Sequence, residues 1–297
     1  MGRLIVAKVG SSTLMDEAGE LDVAFVRSLC AQICELRRRG DRVVLVSSGA
    51  AAVGRSLLGL TERPSDIPTL QACAAAGQTT LIERYAEVLA EDGAACGQAL
   101  LTRGDVVDRT GYLNARNTFE RLLDLGVVPI VNENDTVSVR EFSFGDNDML
   151  GAIVASLIDA DLYVILSDID GLYTANPDSD PSAHLIERVE RVDTDIVAMA
   201  GGAGSSFGTG GMATKVRAAR AMIAAGIPMV ICRGRGDRAL VNAADGKGRH
   251  TLFEGPEGSG HEQARKLWIG LAGLSRGSVT VDAGAARALL KGGASLL

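Results

Sequence analysis

The sequence predicts an α/β fold in which helices cover both faces of a mostly parallel sheet. Short apolar runs alternate with longer helical patterns over about 250 of the 297 residues, and glycine-rich turns follow several of the runs. Such alternation is typical of parallel sheets, whose strands are buried on both faces. The length allows one large domain, or one domain and part of another.

The predicted strands are apolar runs of the length that buried strands have in parallel sheets. They are Leu4–Val9, Arg42–Val46, Gly97–Leu101, Val127–Val131, Leu162–Leu166 and Pro228–Cys232. Between them lie the predicted helices, near Val23–Arg39, Leu70–Glu91, Leu113–Leu125, Asp148–Ile158 and Met212–Ala225.

Two segments depart from this rhythm. Residues Thr136–Phe144 alternate apolar and polar side chains before Gly145, which predicts an exposed hairpin. The composition changes at Glu254–His261, so we expect a first domain over 1–253 and a linker over 254–264. The remaining residues, 265–297, are too few for an independent domain, which usually needs about 40 residues or more. We therefore expect them to be an incomplete second domain.

The charge and the apolar pattern exclude some classes of protein. The net charge is −7 and the pI is near 5.1, which argues against a protein whose main function is to bind nucleic acid. No apolar run reaches the roughly 18 residues of a membrane helix. The apolar run at the N-terminus is broken at Lys8, so it does not indicate a signal peptide. We expect a soluble cytoplasmic protein.

The cysteines and histidines predict neither a metal site nor a histidine-centred triad. The five cysteines form no CxxC pair, and Cys30 and Cys34 are predicted as buried apolar residues on one helix face, with a redox pair as the alternative. His184, His250 and His261 are far apart in loop-like surroundings.

Glycine- and serine-rich turns after several strands indicate an anion site. They are Gly10–Thr13, Ser47–Ala50, Gly201–Gly211 and Gly234–Gly236. In a parallel sheet such turns meet in one crevice at the carboxyl ends of the strands, where backbone N–H groups can approach phosphate. No Walker A motif is present. Two segments match G-x-G-x-x-A, but Gly208–Ala213 follows a polar loop and not a strand, and Gly234–Ala239 follows a strand without a clear acidic residue to bind ribose.

Two lysines are candidates to bind the anion. Lys8 lies inside the first strand, and Lys215 follows a glycine-rich loop at the start of a helix. Cations across the β- and γ-phosphates are what phosphoryl transfer requires. The alternative is that Lys8 reaches solvent from the strand end and Lys215 is a solvated helix residue.

Acidic and amide residues flank the predicted hairpin. Asn132–Asp135 follows one strand, and Gly145–Asp148 opens the next helix. Together they suit a zwitterionic substrate, with aspartate taking the ammonium group, although a helix cap and an Asx turn would leave the same pattern. Asp168 and Asp170 follow another strand and indicate a nucleotide site, a metal site or only a tight turn.

These segments, in this order, resemble the glutamate 5-kinases of the amino acid kinase family. The motifs are KVGSS, VSSGA, LNARNT, VPIVNENDTV, FGDND, SDIDGLYTANP and GTGGMATK, and the resemblance extends to about residue 253. Residues 265–297 resemble the beginning of a PUA domain. The resemblance implies a three-layer αβα sandwich that phosphorylates the γ-carboxylate of L-glutamate with ATP and Mg²⁺, the first step of proline biosynthesis. It also implies inhibition by proline and a homodimer or homotetramer.

The resemblance implies a role for each matching residue. Lys8 and Lys215 would bridge the transferring phosphoryl group, and Asp148 would hold both lysines in position. The glutamate-binding set is Ser48, Gly49, Asn132, Asp135, Asp146 and Asn147. The ATP-binding set is Lys8, Ser167, Asp168, Thr209, Gly210, Gly211, Met212, Ala213, Thr214 and Lys215. No direct metal ligand is predicted.

Three alternatives remain open at this stage. The first is a related kinase acting on aspartate, N-acetylglutamate, carbamate or UMP, against which the hairpin with its two flanking motifs argues. The second is an RNA-binding protein that works through the PUA-like segment, which the acidic net charge opposes. The third is an inactive proline or nucleotide sensor, which Lys8, Asp148 and Lys215 make a poorer interpretation.

Overall fold

A computed structural model describes residues 2–138, 147–201 and 211–255, together with 281–282 and 284–285. Several predicted features lie outside these residues: Asp146, Thr209, Gly210, His261, the second half of the hairpin and most of the linker and PUA-like segment. The division into a catalytic domain, a linker and an incomplete PUA domain therefore stays a prediction.

The described residues form an eight-stranded sheet, and the prediction of a mostly parallel α/β fold is confirmed. The strand order is β3-β4-β2-β1-β5-β7-β8-β6, and every neighbouring pair is parallel except β7 and β8. The strands are β1 (Leu4–Val9), β2 (Arg42–Ser47), β3 (Cys96–Leu101), β4 (Val128–Glu133), β5 (Leu162–Ser167), β6 (Arg188–Val189), β7 (Met229–Arg233) and β8 (His250–Phe253).

Helices cover both faces of this sheet. They are α1 (Ser11–Leu14), α2 (Val23–Arg38), α3 (Ala50–Leu57), α4 (Ile67–Glu91), α5 (Arg103–Val107), α6 (Arg109–Asp124), α7 (Asn147–Leu157), α8 (Thr194–Met199), α9 (Met212–Ala225) and α10 (Ala239–Ala244). Side-chain caps begin the long helices α2, α4 and α6, where Asp22, Asp66 and Asp108 accept from backbone N–H groups. Within the described residues, no helix has the length and apolar character needed to cross a membrane.

The alternation of side chains along β1 places one lysine on a defined face. Ile5, Ala7 and Val9 pack with α2, α4 and α10, whereas Leu4 and Val6 belong to the core formed with α7 and α9. Because successive strand residues point to opposite faces, Lys8 shares the α7 and α9 side of the sheet. This face is where Asp148 of α7 and Lys215 of α9 lie.

Some local predictions are wrong. Strand β4 continues through Asn132 and Glu133, which pair with Leu100 and Leu101 of β3 instead of starting a turn. His250 begins β8 and is not in a loop, because this segment pairs with β7 at the edge of the apolar core. Where a glycine-rich turn was predicted over Gly10–Thr13, residues Ser11–Leu14 form one turn of helix.

The predicted burial of Cys30 and Cys34 is confirmed. Both residues are free thiols on the buried face of α2. Burial, followed by the nearby Cys34 and Cys96, raises the pKa of Cys30 to about 12, so this thiol stays protonated near neutral pH.

Candidate active site

The carboxyl ends of the central strands surround a cavity of about 460 Å³. This volume is within the usual range for a site that takes a small ligand. Among the predicted site residues, those that line the cavity are Lys8, Ser48, Gly49, Asn132, Asp135, Asn147, Ser167, Asp168 and Lys215. The sheet therefore brings together residues that are up to 207 positions apart in sequence, from Lys8 to Lys215.

Lys8 and Lys215 meet at one buried carboxylate. Lys8 Nζ donates to Oδ1 of Asp148 over 2.5 Å, and Lys215 Nζ donates to Oδ2 over 3.1 Å. All three residues are buried, with 5%, 6% and 0% of their surfaces exposed for Lys8, Lys215 and Asp148. The alternatives in which the two lysines are solvated are wrong. Both ammonium groups, held by one carboxylate, therefore lie at the cavity wall, an arrangement that suits an anionic ligand.

Contacts from three elements hold Asp148 in place. The hydroxyl of Tyr163 in β5 donates to its backbone carbonyl over 2.8 Å. The hydroxyl of Thr214 in α9 lies 2.9 Å from Oδ2 of Asp148 and 2.8 Å from the carbonyl of Gly211. Burial acts to raise the pKa of Asp148, but the charges and hydrogen bonds of Lys8 and Lys215 outweigh it and lower that pKa. Asp148 is therefore an ionised anchor and not a proton acceptor.

A chain of amide groups forms another wall of the cavity. Asn147 Nδ2 lies 2.9 Å from Ser48 Oγ, 2.8 Å from Asn132 Oδ1 and 3.2 Å from the carbonyl of Ser47. Asn132 in turn donates from Nδ2 to Gln78 Oε1 over 2.8 Å. The backbone turn that carries Ser48 depends on Gly49, whose φ of 101° is in the left-handed region.

Two carboxylates lie beside these amides. Glu133 is buried and accepts from the Ser138 hydroxyl over 2.6 Å. Burial, and secondarily the charge of Glu133, raises the pKa of Asp135 to about 6. Both carboxylates line the cavity, and a carboxylate there suits a ligand with an ammonium group.

The predicted nucleotide residues fall at the ends of β5 and α9. Ser167 Oγ donates to Asp168 Oδ1 over 3.0 Å, and both residues line the cavity. Gly211 precedes α9, and Met212, Ala213 and Thr214 form its first turn. Of residues 211–215, only Lys215 lines the cavity. The N-terminus of a long helix favours negative charge, as a phosphate would provide.

The side chains of the described residues do not form a metal site made of protein ligands alone. Within the described part of the chain, no three histidine, cysteine, aspartate or glutamate side chains come together as metal ligands. Mg²⁺ commonly binds through substrate phosphates with only one or two carboxylates, so the cavity is compatible with Mg²⁺ that arrives with ATP.

Sequence reasoning missed several residues that line the cavity. Arg55 and Arg63 come from α3 and the loop that follows it, and Glu133 comes from the end of β4. Glu133 is part of the NEND motif, so its neighbours could have indicated it. No local pattern identified the two arginines, because α3 begins without a side-chain cap and was not predicted.

Solved structures with a similar fold are small-molecule kinases. Carbamate kinase from Giardia aligns with a TM-score of 0.62 and 19% identity, over 86% of this chain and 99% of that one. UMP kinase from Ureaplasma parvum aligns with a TM-score of 0.60 and 14% identity, over the same shares. At these identities the comparison establishes the fold alone. The amino acid kinase family matches residues 3–233, and the chain belongs to this family.

Within the family, the similar curated proteins are glutamate 5-kinases. The one from Geobacter sp. (strain M21) is 46% identical over 293 residues, which cover 99% of this chain and 78% of that protein. The one from Syntrophotalea carbinolica is 48% identical, again over 99% of this chain and 78% of that protein. The one from Streptococcus suis is 44% identical over 99% of this chain and 82% of that protein. The resemblance seen in the sequence motifs is thereby confirmed over nearly the whole chain.

Proposed function

We propose that this protein transfers the γ-phosphoryl group of ATP to the side-chain carboxylate of L-glutamate, giving ADP and L-glutamyl 5-phosphate. The observation that carries the proposal is the pair of buried lysines held on the two oxygens of Asp148 at the cavity wall. The similarity to glutamate 5-kinases supports the choice of substrate. The reaction would be the first step of proline biosynthesis, and we place it in the cytoplasm.

Phosphoryl transfer to a carboxylate requires stabilisation of negative charge and no proton transfer. A γ-carboxylate oxygen attacks the γ-phosphorus, the bond from that phosphorus to the bridging oxygen breaks, and ADP leaves with the electron pair. The attacking carboxylate is already ionised at neutral pH, so no general base is needed. Lys8 and Lys215 would stabilise the negative charge that spreads over the phosphoryl oxygens. Asp148 would fix the spacing between the two ammonium groups.

The amide and carboxylate wall would bind glutamate. Asp135 supplies a negative charge for the α-ammonium group, and Asn147, Asn132 and Ser48 supply polar atoms around it. Gly49 allows close backbone approach, and Asp146 belongs to the same predicted set. We add Arg55 and Arg63 as positive charges that would attract the substrate carboxylates.

The opposite side of the cavity would bind ATP. The proposed contacts are Ser167 at the end of β5, Asp168 directly after it, and residues 209–215, which lead into α9. Mg²⁺ would enter with the nucleotide, held mainly by its phosphates, and would neutralise part of their charge. Lys8 and Lys215 would complete this positive environment from the protein side.

The remaining implications of the family resemblance are also proposals. They are inhibition by proline, assembly into a homodimer or homotetramer, and an incomplete PUA domain over 265–297. Proline titration of the kinase reaction and sedimentation at several protein concentrations test the first two of these proposals.

The test of the main proposal is an ATP- and Mg²⁺-dependent assay in which hydroxylamine traps the acyl phosphate. L-Glutamate is compared with L-aspartate and N-acetylglutamate at equal concentrations. Hydroxamate formed with glutamate alone supports the proposal, and hydroxamate formed only with another acid contradicts the choice of substrate. A protein that binds ATP and forms no hydroxamate would support the sensor interpretation.

A further inference from the structure

A buried glutamine behind the cavity wall is hydrogen-bonded into the proposed glutamate-binding residues. Gln78 lies in the middle of α4, and only 9% of its surface is exposed. Among the described residues that line the cavity, Asn132 and Asn147 are included and Gln78 is not. Gln78 can therefore influence a ligand only through other side chains.

Gln78 and the backbone of Glu133 fix the orientation of Asn132 from its two ends. Gln78 Oε1 accepts from Asn132 Nδ2 over 2.8 Å. At its other end, Asn132 Oδ1 accepts from the backbone N–H of Glu133 over 2.9 Å and from Asn147 Nδ2 over 2.8 Å. A side-chain amide has one acceptor end and one donor end, so these partners define which end of Asn132 faces Asn147.

The orientation of Asn132 sets that of Asn147. Because Asn132 presents an oxygen, Asn147 must turn its Nδ2 toward it, and the same Nδ2 reaches Ser48 Oγ at 2.9 Å. The carbonyl oxygen Oδ1 of Asn147 is then the end left for a ligand. Ser48 Oγ accepts a hydrogen bond from Asn147 Nδ2, so the Ser48 hydroxyl can donate its own hydrogen to an anionic group.

The backbone packing around Gln78 gives this network a rigid base. At the neighbouring Gly77, an added Cβ would lie 2.0 Å from the carbonyl oxygen of Ala50, and at Gly54 it would lie 1.8 Å from that of Cys73. Helices α3 and α4 thus touch backbone to backbone next to Gln78. This contact fixes Gln78 relative to Ser48, which precedes α3.

We infer that Gln78 is a positioning residue: through Asn132 it makes Asn147 present an acceptor, and Ser48 a donor, to the substrate. This inference rests on the proposed function, because an acceptor at Asn147 suits an ammonium group and a donor at Ser48 suits a carboxylate. With the acceptor at residue 78 removed, Asn132 Nδ2 loses its buried partner, only the Oδ1 end of Asn132 is still held, and the amide is less firmly positioned against Asn147. Glutamate binding then weakens, whereas ATP binding on the other side of the cavity does not.

The test compares Gln78→Leu with Gln32→Leu in steady-state kinetics. Gln32 is a matched control, since it is also buried and hydrogen-bonded, accepting from the Leu240 N–H over 2.9 Å, but it lies on α2 away from the cavity. For Gln78→Leu we expect the glutamate KM to rise by roughly fivefold to tenfold, as for a lost buried hydrogen bond, with the ATP KM within about twofold. Gln32→Leu should leave both KM values within about twofold of the parent protein.

A double-mutant cycle with Asn132→Ala shows whether Gln78 acts through Asn132. In that background Gln78→Leu should change the glutamate KM by less than about twofold, because the intermediate amide is already gone. If Gln78→Leu lowers the yield of folded protein, Gln78→Met replaces it in the cycle, since methionine fills the space without a carbonyl acceptor. An unchanged glutamate KM, an equal rise in both KM values, or additive effects in the cycle would overturn the inference.

The parent protein separates this inference from the proposed function. If it forms no hydroxamate from glutamate, the proposed function fails, and the inference fails with it. If it forms hydroxamate and Gln78→Leu has an unchanged glutamate KM, the function stands and only the role of Gln78 is wrong.

Discussion

Lys8 and Lys215 are held on opposite oxygens of the same carboxylate, that of Asp148, at 2.5 and 3.1 Å. The two lysines come from β1 and α9, and Asp148 comes from α7 between them in sequence. A buried ion pair contributes little stability by itself, so the stability of the fold does not explain this cluster. We propose instead that the two ammonium groups are placed to stabilise the phosphoryl group in transfer.

We expect Lys215→Ala to lower kcat by about 10²-fold to 10³-fold, the usual effect of removing one group that stabilises a transition-state charge. ATP binding should remain largely intact, because Lys8 and the rest of the nucleotide side are unchanged. Steady-state kinetics and nucleotide titration measure the two effects. Lys247→Ala is the control, since the side chain of Lys247 is 69% exposed and pairs only weakly with Asp245. A near-normal kcat for Lys215→Ala would remove Lys215 from the mechanism.

Replacing Asp148 should affect both stability and catalysis. Asp148→Asn removes the negative charge that both buried ammonium groups contact, which we expect to lower the free energy of unfolding by about 3 kcal/mol or more. The value of kcat should fall as well, because the spacing of the lysines is lost. Denaturant unfolding and kinetics check the two outcomes. The control Asp245→Asn removes a surface partner of Arg39 and should cost less than about 1 kcal/mol. Equal stability losses in the two variants would contradict the role given to Asp148.

Glutamate binding should weaken in mild acid because of Asp135. Its pKa is raised to about 6, so this carboxyl loses its charge as the pH falls from 7 to 5. An uncharged Asp135 no longer attracts the substrate ammonium, and the glutamate KM should rise over that interval. In Asp135→Ala, the KM should be high already and should change less with pH, with kcat lowered less than KM is raised. Parallel pH profiles of the glutamate KM in the two proteins would rule out this role.

Gly151 in α7 leaves room for Tyr163, which holds Asp148 in position. A Cβ added at Gly151 would lie 2.3 Å from the Tyr163 hydroxyl, which holds the Asp148 carbonyl. We expect Gly151→Ala to cost about 1–3 kcal/mol of unfolding free energy through overpacking and to lower kcat as well. Gly104→Ala is a matched helical control, where the nearest atom is 3.5 Å away. If both variants unfold at the same denaturant concentration, the close approach at Gly151 has no energetic importance.

The strands and long helices were predictable because their signals are local. Apolar runs of strand length gave β1, β2 and β5 within about one residue, and helical spacing gave α2 and α9. Helix α3 was not predicted, because it has no side-chain cap and is only eight residues long. It begins directly after Gly49, whose φ is in the left-handed region. Strand β8 escaped as well, because its antiparallel pairing with β7 depends on tertiary contact.

The site was predictable in its motifs but not in its connections. Lys8, Asp148 and Lys215 were selected by motif, and the structure shows why they belong together: one face of β1 meets the first turns of α7 and α9. The hydrogen bond from Asn132 to Gln78 spans 54 residues, and nothing local in the sequence indicates it. Long-range side-chain contacts of this kind need the assembled sheet to bring the partners within reach.

The most direct test of the central claim is the hydroxylamine-trapping assay run on the parent protein and on Lys8→Ala with saturating ATP, Mg²⁺ and L-glutamate. We expect glutamyl hydroxamate from the parent protein, formed with glutamate and not with aspartate or N-acetylglutamate, and a loss of about 10²-fold or more in Lys8→Ala. Equal hydroxamate formation by the two proteins would contradict the claim that the paired lysines carry the transferring phosphoryl group.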